Sequence, residues 1–156
     1  MSNYQKHSLE GASAVDLVVA LYDGMIRFLY AAADATDRGD VDARRAAVKR
    51  VLDIIIHLQA RLRMDIGGRP AEALSEFYAA NFAIILQASQ SASRAKFELA
   101  IDSIRNVRAA WKQVASETYS TARRESALTG AHDRIELSSL HDSMIASERP
   151  NLNWTT

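Results

Sequence analysis

The chain has 156 residues, 48% of them hydrophobic and 24% charged, with six glycines, two prolines and no cysteine. That length carries one core but not two, and so little turn punctuation excludes a fold of many short strands. Nineteen basic side chains cancel nineteen acidic ones, which removes the net field a nucleic-acid or membrane-surface binder relies on; the lack of cysteine removes disulfides and thiolate chemistry together.

Residues 1–12 mix polar groups with Tyr4 and Leu9 and read as an N-terminal arm. The first strong pattern opens at Ser13, read as an N-cap with Asp16 three positions on. It continues through Leu17, Val18, Leu21, Met25, Phe28, Leu29 and Ala32 at the helical period. Gly39 is the expected stop and Asp40 the next N-cap.

A second helix is expected from about Val41 to Arg63, with Val48, Val51, Leu52, Ile55, Leu58 and Leu62 along one side. Ile54 and Ile56 flank that stripe and widen the apolar arc to roughly 200°, more than a core-facing stripe needs. Met64-Asp65-Ile66-Gly67-Gly68 then reverses the chain, and Pro70 sits in the first turn of the next helix. That third helix, about Pro70 to Gln90, carries Leu74, Phe77, Tyr78, Phe82, Ile84, Ile85, Leu86 and Ala88 over a similarly wide arc, with Asn81 inside it.

The fourth helix is expected to begin near Ser91 or Ser93, to repeat Phe97, Ala100, Ile101, Ile104, Val107, Trp111 and Val114, and to fade after about Tyr119. Short connections between helices of similar length make neighbours antiparallel. The expected fold is therefore all-α: an antiparallel up-down four-helix bundle over residues 13–120, preceded by a flexible arm over 1–12. Residues 121–156 form a polar, partly mobile tail, in which Ile135, Leu137, Leu140, Met144 and Ile145 are spaced for a short fifth helix before Pro150.

Chemistry is hard to place on this bundle. A di-metal site needs Glu and Glu-x-x-His ligands from facing helices, and His57 with Asp53 has no third ligand at metal-site spacing. His132 and His141-Asp142 fall in the tail. No Gly-x-Ser-x-Gly elbow is present, and Gly67-Gly68 follows a helix, whereas phosphate cradles precede one. Arg44-Arg45 and Arg123-Arg124 are balanced by nearby acids and read as solvated faces. The sequence thus suggests no enzyme, no metal and no cofactor. The surplus apolar arc of the second and third helices suits a partner groove, and a fifth helix or a dimer contact covers it equally well.

Leu21-Tyr22-Asp23-Gly24 in the first helix resembles the signature of the FliS family of flagellar export chaperones. Met64-Asp65-Ile66-Gly67-Gly68, Tyr78 and Trp111 resemble that family's turn, third-helix tyrosine and fourth-helix tryptophan, in order and spacing over about residues 3–117. The resemblance implies a cytoplasmic chaperone that binds the disordered C-terminal segment of flagellin, prevents its polymerisation and, once loaded, meets the flagellar type III export gate. It also implies a role for Tyr4, in Asn3-Tyr4-Gln5, as a plug folded over the empty groove. Apolarity and arc position suggest Tyr22, Met25, Ile54, Ile55, Phe82 and Ile85 as groove residues. Neither nucleic-acid binding nor membrane insertion is expected, since no run of about 18 apolar residues occurs; the sequence leaves the oligomeric state open. An adaptor for a regulatory partner is the competing reading of the same surface. Two features depart from the family: Asn81-Phe82-Ala83-Ile84-Ile85 stands where paired arginines commonly follow an apolar residue, and the tail is longer than usual.

Overall fold

The chain's breaks lie where short polar and glycine residues can satisfy helix ends. Gly39 takes φ +68° and lets the Asp40 amide reach the Ala35 carbonyl at 2.9 Å, closing the first helix. Asp40 then turns its carboxylate to the Ala43 amide at 3.0 Å and caps the second. At the next corner Ala92 adopts φ +46° while the Ser93 amide bonds the Ala88 carbonyl at 3.0 Å. An alanine in left-handed conformation costs about 1 kcal/mol or more, so this corner is held by the helices on either side.

A computed structural model describes the backbone of residues 3–147 and, within it, all side chains except those of residues 4, 5, 8, 9, 12 and 133–147. The described residues form four helices and no strand: α1 (Asn3–Asp37), α2 (Val41–Ala60), α3 (Gly68–Gln90) and α4 (Arg94–Ser147). Each helix packs on the next in sequence, and α4 closes the ring on α1. The polar contacts of that last pair fix its direction. Arg94 meets Asp34 and Asp37, Arg108 meets Asp23, and Tyr119 donates to Asp16, so α1 numbers fall as α4 numbers rise. The result is the expected antiparallel up-down four-helix bundle.

The core is continuous along the ring. Tyr22, Met25 and Leu29 of α1 meet Val51 and Ile55 of α2, Tyr78 and Ile85 of α3, and Phe97, Ile101 and Ile104 of α4. Asn81 sits among them, almost wholly buried. Its amide donates to the Phe77 carbonyl at 2.9 Å and to the Ser103 hydroxyl at 3.3 Å, while its own carbonyl oxygen has no partner. The buried amide thus has both donors satisfied and its acceptor bare, and it ties α3 to α4 at one register.

Both ends of the bundle differ from the sequence expectation. Helix α1 begins at Asn3, so residues 3–12 have helical backbone and Ser13 lies inside the helix rather than capping it. Helix α4 does not fade at Tyr119 but runs on to Ser147, 54 residues in all, so the segment expected as a separate fifth helix is backbone of α4 itself. Polar sequence obscured both extensions because their stripes are thin. Pairing of α1 with α4 reaches toward both extensions, as the Tyr119–Asp16 bond shows. The apolar island at Ile135, Leu137, Leu140, Met144 and Ile145 lies outside the described side chains, as does the plug expected at Tyr4.

The α2–α3 turn explains its glycines directly. A Cβ on Gly67 would stand 2.5 Å from the Ala71 Cβ and 2.6 Å from the Arg63 carbonyl oxygen, whereas Gly68 is needed for its φ of +53°. Arg63 and Asp65 lock the same turn through a two-pronged pair at 3.0 and 2.8 Å; the guanidinium holds the Asp65 carboxyl below its usual range. Gly67→Ala is expected to lower the unfolding free energy by about 2 kcal/mol, because its clash is with backbone. Gly68→Ala should cost about 1 kcal/mol through its positive φ. Urea denaturation of the two variants checks both the loss and the order.

Candidate functional site

Three successive isoleucines on α2 point three ways, because each step along a helix turns about 100°. Ile55 enters the core. Ile54 leans toward α1, where the absence of a side chain on Gly24 admits it: a Cβ there would lie 3.4 Å from the Ile54 Cδ1. Ile56 is left 56% exposed on the α3 side. The surplus arc noted in the sequence is therefore divided between two flanks of α2.

On the α3 flank lies a cleft of about 480 Å³, lined by Ile55, Ile56, Gln59 and Ala60 of α2 and by Tyr78, Ala79 and Phe82 of α3. Its opening follows from side-chain size. Ala60 and Ala79 are too small to meet across the gap, while Ile56 and Phe82 stand at its sides. Its polar groups are held: Gln59 donates to the Ser75 hydroxyl at 2.7 Å, tying α2 to α3, and the Tyr78 hydroxyl is engaged with that of Tyr22. The amide oxygen of Gln59 is buried without a partner. Such a volume is the size of a small-molecule pocket, but its walls are open and almost wholly apolar, which suits bulky side chains of a docked helix.

Of the six groove residues expected from sequence, Ile55 and Phe82 line this cleft. Ile54 is partly buried against α1, on the opposite flank of α2. Tyr22, Met25 and Ile85 are fully buried in the core, so in this structure they support the cleft from beneath and do not form its wall. Arc position alone could not separate the centre of an apolar arc from its edges. Ile56, Gln59, Ala60, Tyr78 and Ala79 were not among the expected groove residues; the available signal was the i, i+4 pairing of Ile56 with Ala60 beside an already complete core stripe.

The sequence motifs meet inside the bundle. The Tyr22 and Tyr78 hydroxyls, on diagonally opposed helices, are 2.8 Å apart in the buried interior, and their rings tilt at 59° with centroids 6.4 Å apart. The Trp111 side chain is partly buried and packs against the same core. Asp23, next to Tyr22, faces outward and pairs with Arg108 of α4, and Leu21 packs on the core's edge. Thus Leu21, Tyr22, Asp23 and Gly24 each serve a different neighbour. Met64 and Ile66 of the turn stand exposed, just beyond the Ala60 end of α2.

Burial pushes the Tyr22 phenol above its usual range, with the hydrogen bond to Tyr78 partly opposing it. Tyr78 is raised further, by burial and then by its bond to Tyr22. Because the folded-state values exceed the unfolded value of about 10, the pair's contribution is fully present below pH ~10 and is lost as pH rises from there toward the folded values. Stability should therefore fall steeply above pH ~10, and more gently in the Tyr22→Phe/Tyr78→Phe variant; denaturation at pH 8 to 11 tests this.

Among the described residues no cluster of three or more His, Asp or Glu could hold a metal, and no helix is long and apolar enough to cross a membrane. Comparison with known proteins supplies what geometry alone does not. The family model for flagellar protein FliS matches residues 1–118. The flagellar secretion chaperone FliS of Vibrio cholerae serotype O1 is 30% identical over 109 residues, 70% of this chain and 80% of the relative. That of Salmonella typhimurium is 33% identical over 104 residues, 66% and 77% respectively. The matched span covers α1 to α3, the cleft and α4 through Thr118.

Proposed function

Since the chain belongs to the FliS family of flagellar secretion chaperones, we propose that its cleft between α2 and α3 receives an apolar helix from the C-terminal segment of flagellin. The family is one of chaperones, not of enzymes, and an export chaperone role follows from membership. The finer reading rests on one observation: an open, apolar cleft bordered by exposed Ile56 and half-buried Phe82, both outside the fully buried core.

The physics suits the task. A flagellin terminus that polymerises through amphipathic helices must have its apolar face covered until it is exported, and a helix-in-groove contact does this. The bound segment orders on the chaperone, so part of the interaction energy offsets its lost chain entropy. The contact is therefore reversible, and the segment can be stripped turn by turn at an export gate. A cytoplasmic location and the meeting of loaded chaperone with that gate belong to the same proposal, as does Tyr4 as a plug over the empty groove.

Co-expression with the organism's flagellin tests the reading. A 1:1 complex should co-purify with full-length flagellin and disappear when the flagellin C-terminal segment is deleted. Capture of a regulatory protein without flagellin would favour the adaptor reading instead.

A further inference from the structure

The other flank of α2, against α1, carries a second apolar face, edged by cations. Along α1, Leu17, Leu21, Gly24 and Phe28 recur at the spacing of one helical face, and Ile54 of α2 closes on it at Gly24. Leu17 is 52% exposed, and Phe28 is partly buried against the core. At the Phe28 end two guanidiniums converge on one ring: the carbon of Arg27 lies 5.3 Å, and that of Arg50 5.4 Å, from the Phe28 centroid.

Two cations drawn to one ring repel each other, and a benzene face returns only about 0.5–1 kcal/mol to each when exposed. Proteins commonly resolve such a pair with a carboxylate. Here the nearby acids in the sequence are engaged elsewhere: Asp23 pairs with Arg108 on the α4 side and Asp53 with Lys49 at 2.7 Å. Among the described residues neither Arg27 nor Arg50 has an ion pair, and both are exposed. The guanidinium fork is the donor that matches a planar carboxylate with two parallel hydrogen bonds.

We propose that Arg27, Phe28 and Arg50 form a receptor for an acidic side chain, an Asp or Glu placed on the chaperoned segment next to the apolar residues that lie along Leu17, Leu21 and Ile54. This rests on the reading of the chain as a chaperone of flagellin's C-terminal segment and extends it, placing on the α1–α2 flank a part of the segment that lies outside the α2–α3 cleft. The contact gives the complex register: apolar contacts tolerate sliding by a turn, whereas a carboxylate paired with these guanidiniums does not. It also gives discrimination against apolar segments that lack the acid.

The test is a titration of the flagellin C-terminal peptide into the full chain and its Arg27→Gln/Arg50→Gln variant, at low and at high salt. The wild type should bind roughly tenfold more tightly than the variant at low salt, with the gap closing as salt screens the charges. Amidating the peptide's acidic residues (Asp→Asn, Glu→Gln) should weaken wild-type binding by a similar factor and leave the variant unaffected, while Lys112→Gln should change nothing. Because Arg27 and Arg50 are exposed, helicity and unfolding midpoint should stay at wild-type values. Equal affinity and equal salt dependence of wild type and variant would overturn the receptor alone. No binding by the wild type would overturn the receptor together with the function it rests on.

Discussion

Tyr22→Ala should cost about 3–5 kcal/mol of stability, the largest loss expected from any single change in the family signature. The side chain is fully buried, and truncating a buried aromatic removes its transfer energy and leaves a cavity that a close-packed bundle only partly fills. The substitution also strands the Tyr78 hydroxyl, which now bonds Tyr22 at 2.8 Å and would be buried without that partner. Against a typical domain stability of about 5–15 kcal/mol, this is enough to leave a substantial unfolded population. Tyr22→Phe separates the two causes. It keeps the volume and should cost about 1–3 kcal/mol, and Tyr22→Phe/Tyr78→Phe should cost less than the sum of the singles, because neither hydroxyl is then left behind. Urea denaturation of the four variants closes the cycle.

The second large effect is functional and should leave the fold intact. Ile56→Asp/Phe82→Asp places two carboxylates in a cleft that is otherwise apolar. Ile56 is 56% exposed, so its substitution removes little core packing; Phe82 is half-buried, and its loss should lower stability by about 1–2 kcal/mol. A docked apolar helix would have to desolvate both charges without a partner, at a cost of several kcal/mol. Affinity for the flagellin segment should therefore fall at least about 100-fold, the equivalent of about 2.7 kcal/mol. Isothermal calorimetry at neutral pH measures this, with circular dichroism confirming that the helices persist. Retained affinity would place the cargo elsewhere on the bundle.

The contrast between these two predictions reflects what sequence can and cannot specify. Periodicity revealed α2 and α3 nearly to their ends because each carries a dense apolar stripe bounded by Asp40, Gly67-Gly68 and Ser93. It missed the first turns of α1 and the long continuation of α4, where Ser, Thr, Glu and Arg dilute the stripe and helicity depends on one helix lying beside the other. Long-range pairing such as that of Asp16 with Tyr119 leaves no local signal.

The site was legible to the same degree. An arc of about 200° on α2 announced apolar surface beyond the needs of the core, but the sequence does not say where the core's edge falls. Tyr22, Met25 and Ile85 lie inside that edge and Ile56 outside it. Asn81, conspicuous in an apolar run, proved to be a tie to Ser103 and not part of the cleft lining. The pairing of Tyr22 with Tyr78 across the bundle was also invisible locally, since it joins residues 56 apart in the chain.

The central claim is that this bundle holds flagellin's C-terminal segment as an ordered helix in an apolar groove. The most direct measurement is a titration of that peptide into the purified chain, following affinity by calorimetry and helicity by circular dichroism. The account predicts saturable 1:1 binding at micromolar or tighter affinity, with a gain in helical signal beyond the sum of the two components. No binding at tens of micromolar, or binding without added helix, would contradict it.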